Sequence, residues 1–279
     1  MTKTFYVLEA QTSGIDAEFY INDIPIVLRG PDHGQNYAAP VNQYLLDGPN
    51  ELAMVVKPGP TPSQSQTGRN GQKETFSPTS EKAWAKISSY PQKATIGGPD
   101  GTELMKVEWP IRDERKSRDD YQPMEYPLKI VQFRDMGQMF GSCVFQQAPK
   151  IKIDDTVKNE IYEMLEALRG SLAGGDAELY IQLQKIRLEE VARAFQTSSD
   201  ERRQMVREVT RMDSQQSWWG FPSLDKEQFD LRLAARGTMV QCIDKRWDAI
   251  LRENANDKNE RAYYSLFVSK LEGKWVILR

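Results

Sequence analysis

Few side chains in this sequence are equipped for catalysis. His33 is the only histidine. It sits in Pro31-Asp32-His33-Gly34, where a carboxylate could orient the imidazole as a general base. A single imidazole beside Gly and Pro, with no nucleophile or acceptor located for it, reads as a loop residue. Cys143 would be a nucleophile, but Cys143-Val144-Phe145 reads as a strand, where a thiol is commonly a small buried hydrophobe. Cys242 is far away in sequence, so the two cysteines form neither a disulfide framework nor a Cys-x-x-Cys pair.

Metal and phosphate chemistry leave no clearer trace. Asp119-Asp120, Asp154-Asp155 and Glu189-Glu190 are adjacent carboxylates, and neighbours on a helix or strand point in different directions. No EF-hand spacing occurs. Gly97-Gly98-Pro99-Asp100-Gly101 lacks the Lys-Ser/Thr of a phosphate loop, and no Gly-x-Ser-x-Gly elbow is present. Forty acidic residues always offer pairs for glycoside hydrolysis, so such pairs carry no signal by themselves. The sequence assigns no catalytic residue, no metal ligand and no cofactor.

Binding is better represented. Ser217-Trp218-Trp219-Gly220-Phe221-Pro222 puts three aromatic rings in a loop between helices. Rings of this kind anchor many protein interfaces. The favoured role is a core plug between the two halves of the chain, and a ring left exposed would be the anchor. The charged stretch 112–120 reads first as a solvated loop, and its Asp119 and Asp120 are carboxylates that an inhibitory face would present. Trp218, Trp219, Phe221, Asp119 and Asp120 are the candidates for partner contact.

The elements that must carry these residues change character along the chain. Phe5–Leu8, Phe19–Ile21, Ile24–Leu28 and Leu52–Val56 are short β-branched or aromatic runs. They are separated by Ser13-Gly14, Asn22-Asp23, Gly30-Pro31 and Asp47-Gly48-Pro49-Asn50, a pattern that predicts strands and an antiparallel sandwich. Residues 57–80 shift to Pro, Gly, Ser, Gln and Thr and read as a flexible loop. Strand-like runs return at Leu104–Trp109, Leu128–Phe133 and Cys143–Phe145.

Beyond residue 150 the period becomes helical. Val157, Ile161, Met164, Leu165 and Leu168 share a face, Asp154 and Asp155 favour its start, and Gly170 suits its stop. Leu179, Leu183, Ile186 and Phe195 mark a second helix. Ser198-x-x-Glu201 is a capping box, followed by Met205, Val209 and Met212 on one face. A fourth helical region is expected through Phe229, Leu233, Val240, Ile243, Trp247, Ile250 and Leu251, with Gly237 the residue that would divide it. Ala262–Val268 and Trp275–Leu278 then form a hairpin about Glu272-Gly273. The expected class is α+β: a β-rich, sandwich-like domain over 1–150 and a helix-rich α+β domain over 151–279, closed by the C-terminal hairpin.

Composition narrows the setting. With 39% apolar residues, 27 aromatic side chains and a net charge of −3, the chain is globular and carries no basic stripe for nucleic acid. It has no apolar run long enough for a bilayer or a signal peptide, which makes the cytoplasm the expected location.

Phe19-Tyr20-Ile21-Asn22-Asp23-Ile24-Pro25-Ile26 and Pro40-Val41-Asn42-Gln43-Tyr44-Leu45-Leu46-Asp47-Gly48-Pro49-Asn50-Glu51-Leu52 carry a resemblance. They resemble β-sandwich modules with a Gly-x-Asn turn between leucines, in which Gly and Asn permit the turn and Leu46 and Leu52 enter the core. Such modules occur in sugar-binding domains and resemble accessory β-domains of type VI secretion immunity proteins. Tyr263–Leu278 looks like the closing hairpin of nuclear-transport-factor-like folds, without the His or Asp constellation of that group's enzymes. The resemblance implies a cytosolic binding protein that inhibits a secreted bacterial toxin by direct complex formation, with a protein partner rather than nucleic acid or membrane. The alternative is a carboxylate-dependent enzyme or a carbohydrate-binding protein acting on sugars.

Overall fold

The computed structural model describes residues 3–66, 74–110 and 124–279. The chain is mixed α+β with mostly antiparallel sheets, and it divides into two compact units, Met1–Ser142 and Cys143–Arg279.

The first unit contains ten strands among its described residues: β1 (Thr4–Ser13), β2 (Ala17–Ile21), β3 (Ile24–Arg29), β4 (Asn36–Pro40), β5 (Pro49–Val56), β6 (Glu74–Phe76), β7 (Lys82–Pro91), β8 (Thr102–Trp109), β9 (Met124–Tyr126) and β10 (Leu128–Asp135). One four-stranded sheet runs β4-β1-β7-β8, a second runs β10-β5-β2-β3, and β6 pairs with β9. All these pairings are antiparallel. Leu8, Ala85, Ile87 and Val107 of the first sheet share one buried cluster with Phe19, Ile21, Leu52 and Met54 of the second.

Local chemistry sets two of the turns. Ile21 pairs with Ile24, leaving Asn22 and Asp23 as a two-residue loop with φ of 53° and 62°. Both are left-handed, as the hairpin turn that matches strand twist requires, and Asn and Asp tolerate that region best among non-glycine residues. The Gly-x-Asn turn is held by its asparagine. Asn50 is fully buried, donates from Nδ2 to the Leu46 and Gly48 carbonyls, and accepts the Leu46 N–H and the Asn22 amide. Leu46 and Leu52 are buried on either side, as the sequence predicts.

The seam between β8 and β10 is closed by side chains. Gln132 accepts the outward N–H of Lys106, and Arg134 donates to the Leu104 carbonyl at 2.6 Å. These bonds occupy backbone groups of β8 that would otherwise form an open sheet edge.

The second unit begins at Cys143. Residues 144–146 form a single 3-10 turn rather than the expected strand, because Cys143 and Gln146 cap each other across it. Beyond it the described chain forms four helices: α1 (Asp155–Ala173), α2 (Glu178–Leu183), α3 (Lys185–Ala194) and α4 (Ser199–Asp213). Asp154 caps α1 by accepting the Val157 N–H at 2.9 Å. The helix runs through Gly170, the expected stop, and ends at Gly174 and Gly175, the latter with φ of 76°. The single helix expected over Leu179–Phe195 is two, α2 and α3, meeting at the buried Gln184.

The largest departure from the sequence pattern is at 229–251. The expected helix is a pair of strands, β11 (Phe229–Ala234) and β12 (Met239–Asp244), with β13 (Leu251–Arg252) beyond. Ala235, Arg236 and Gly237 all have positive φ, at 50°, 58° and 89°, and a right-handed helix cannot pass through them. The helical spacing of the large apolar residues is therefore coincidental. Phe229 and Leu231, then Val240 and Cys242, enter the core at the two-residue period of strands. With β14 (Tyr263–Tyr264), β15 (Leu266–Leu271) and β16 (Lys274–Ile277), the unit forms a sheet ordered β11-β12-β15-β16 and a β13-β14 pair. The expected C-terminal hairpin is present, with Glu272-Gly273 between the paired Leu271 and Lys274. Ile161, Leu165, Leu168 and Leu172 of α1 pack with this sheet in one core.

Candidate functional site

The aromatic loop is built into the second unit's core. The Trp219 indole N–H points to the Leu172 and Ala173 carbonyls, both at 3.2 Å, at the C-terminal end of α1, where Leu172 also accepts the Gly175 N–H. Phe221 is buried, edge-on to Trp219 at 5.3 Å and tilted against Tyr264 at 5.6 Å. Trp218 is half-buried, lies beside Trp219, and stands outside the core cluster. Asp119 and Asp120 lie outside the described residues.

Tyr264, which meets the Phe221 ring, also holds a buried carboxyl. Glu253, 3% exposed, accepts the Tyr264 hydroxyl at 2.8 Å. Burial pushes its pKa above the ordinary carboxylate value and the charge of Asp213 adds to that, while the Tyr264 hydrogen bond opposes it.

Helix α4 presents the least expected surface. Its N-terminus has the capping box read from Ser198 and Glu201. Its apolar face, however, points outward: Met205, Val209 and Met212 are 60%, 50% and 58% exposed. These positions are i, i+4 and i+7 and form one continuous row. The inward face holds Val206, packed on Ala177, Ile181 and Leu188, and the buried Thr210. Arginines complete the attachment. Arg207 makes two bonds to the Glu178 carboxylate, Arg203 reaches Asp200 and Glu189, and Arg202 lies over the Phe195 ring at 5.5 Å. A helix serving only its own fold turns its apolar stripe to the core. Here that stripe lies about 110° round the axis from the attached side, at 100° per residue.

The first unit contains a cleft of about 610 Å³ whose lining includes Asp16, Lys57, Glu74, Phe76, Glu81 and Tyr126. The ammonium of Lys57 sits 4.3 Å from the centre of the Phe76 ring, 5.8 Å from that of Tyr126, and 2.5 Å from Glu74. Lys57 is held with φ of 50° while its N–H donates to the Asp16 carbonyl. Such a conformation strains a non-glycine residue. Burial raises the pKa of Asp16, with nearby His33 opposing and Asp32 adding to the shift. Glu81 moves the other way, lowered by backbone N–H groups at Thr79, Ser80 and its own position.

His33 is exposed and its neighbourhood supplies charge rather than a hydrogen-bonded catalytic pair. Cys143 is buried with its pKa raised by burial, beside the Arg279–Glu190 ion pair. Among the described residues, no three His, Cys, Asp or Glu side chains converge as a metal cage, and no helix is long and apolar enough to cross a membrane.

Sequence reasoning located the α4 apolar row but not its direction. It missed the cleft entirely, because Asp16, Lys57, Glu74 and Glu81 are scattered charges until the sheets form. The one signal in the sequence was Pro58 and Pro60, which stiffen the chain just after a buried strand. Comparison with known proteins finds no match to a family model, a curated protein or a solved structure.

Proposed function

We propose that this chain works by binding a partner protein along α4, and that in its most concrete form it is a cytoplasmic immunity protein that neutralises a secreted bacterial toxin. In this reading the first unit's two sheets form a sandwich module of the immunity-protein kind. The observation that carries the binding role is the outward row Met205, Val209 and Met212. Methionine is unbranched and polarizable, so such a row moulds itself to an apolar counterpart. Glu201 and Glu208 are exposed on the same side of α4, so the fitting partner has an apolar strip with basic residues at its margin.

The test is co-purification of the full chain from its native cells, beside Met205→Glu and Met212→Glu variants. The expected result is one protein recovered in equal stoichiometry with the unaltered chain and lost with either variant. Full recovery with both variants overturns the α4 assignment. A self-associated complex that the same variants dissolve, seen by analytical ultracentrifugation, replaces the foreign partner with a second copy. Toxicity assays of the recovered protein, with and without the chain, decide the neutralising role.

A further inference from the structure

We infer that the cleft of the first unit is a binding site for an organic cation, a primary ammonium or guanidinium group, held between the Asp16 carboxylate and the Phe76–Tyr126 rings. The site is independent of α4.

Four observations meet there. First, among the described residues the lining opposes three carboxylates, Asp16, Glu74 and Glu81, to one ammonium, that of Lys57. A cleft with that balance attracts positive charge. Second, the chain itself demonstrates the geometry. Lys57 places an ammonium over Phe76 at 4.3 Å with a carboxylate at 2.5 Å, the arrangement by which aromatic and acidic walls hold cations. Third, an acceptor remains unused. The Asp16 Oδ1 is buried and makes no hydrogen bond among the described residues. An unsatisfied buried acceptor is costly, and a ligand N–H would supply what it lacks. Fourth, the Asp16 carboxylate packs closely against Gly30. A Cβ added to Gly30 would lie 1.5 Å from its Oδ1, so the glycine at that position is what makes room for the oxygen.

The volume, about 610 Å³, suits a ligand the size of an amino-acid derivative or a short peptide side chain with its flanks. Two sources share this chemistry: a free amine, and a lysine or arginine side chain of a peptide. A ligand ammonium competes with Lys57 for the rings and for Glu74. This gives the site a signature that a simple acidic surface lacks, because removing the resident lysine strengthens binding.

The experiment is isothermal titration calorimetry of the full chain with 1,5-diaminopentane, agmatine and the peptide Gly-Lys-Gly. The neutral control is 1,5-pentanediol, the sugar control glucose, and the anionic control inorganic phosphate. The expected result is saturable binding of the cations alone. Lys57→Gln should tighten diaminopentane binding about tenfold, and Asp16→Asn and Phe76→Leu should each weaken it about tenfold, the scale of one desolvated cation–ring or charged contact. Circular dichroism confirms that each variant keeps its strands. Stronger binding by the diamine assigns a free amine as ligand, and stronger binding by the peptide assigns a protein side chain. Three results overturn the inference: no cation binds, pentanediol, glucose or phosphate binds as well as the diamine, or Lys57→Gln abolishes binding.

Discussion

At the scale of single residues, Glu253 shows how burial converts to a measurable pH dependence. Its folded pKa lies above the ordinary 4.5, first because it is buried. The folded state therefore holds the proton more tightly than the unfolded chain does. The stability that this carboxyl contributes is fully present below about pH 4.5 and is lost as pH rises through the folded value. Glu253→Gln keeps an oxygen for the Tyr264 hydroxyl and removes the charge. It should raise the melting temperature at pH 7 to 8, with the gain shrinking toward pH 4. A gain of constant size across that range, by scanning calorimetry, would rule out the buried charge as its source. The residue scale is also where the sequence was most legible. Asn50, Asp154 and the Ser198–Glu201 box do what their types and positions imply, because each acts on backbone within a few residues. Glu253 was not legible, because its partner Tyr264 lies on β14 and is itself held by the distant rings of Phe221 and Tyr180.

At the scale of elements, the runs that form β1, β2, β3, β5, β8 and β10 and the leucine face of α1 were readable, whereas β4 and β7 were not read. Two failures have physical causes. Over 229–251 the apolar spacing satisfies both a helix and a strand pair, and only the backbone at Ala235-Arg236-Gly237 decides between them. In α4 the pattern defines a face without saying what covers it. Strand edges obey a similar logic, since a strand's outer rim is visible only once the sheets are assembled. The rim of β8 is blocked by Gln132 and Arg134. Arg134→Ala should free the Leu104 carbonyl and remove a charge from that rim, which lowers the barrier to pairing with another chain. Light scattering during a thermal ramp should show an earlier onset of aggregation for the variant. An unchanged onset would mean that the side-chain plug contributes nothing to solubility.

At the scale of the whole chain, each unit has its own core, drawn from its own residues. The division falls between Ser142 and Cys143, not at the composition change near residue 150. The segment 143–149 is tied to α3 and to Arg279. Glu190 accepts the Val144 N–H at 2.7 Å and binds the buried Arg279 guanidinium at 2.5 Å, and Arg279 in turn lies over the Phe145 ring at 4.8 Å. Fragment 151–279 keeps both partners of this ion pair but loses the Val144 N–H and the Phe145 ring that complete its surroundings, and a buried polar group left short of a partner costs about 1–3 kcal/mol. Fragments 1–142 and 143–279 should each melt cooperatively when expressed alone, whereas 151–279 should melt markedly lower than 143–279. Equal melting of 143–279 and 151–279 would show that the cluster contributes nothing to the second unit's stability.

The place of β1 within its sheet has a consequence for synthesis. It lies between β4 and β7, and ten of its residues pair with Lys82–Pro91. The chain must therefore emerge from the ribosome through β7 before its first strand has both neighbours, and through β8 before the sheet has all four strands. Until then the apolar face of β1 waits in solution. Long-range pairing of this kind folds slowly. Nascent chains of this protein should consequently be clients of ribosome-associated chaperones until translation has passed Trp109.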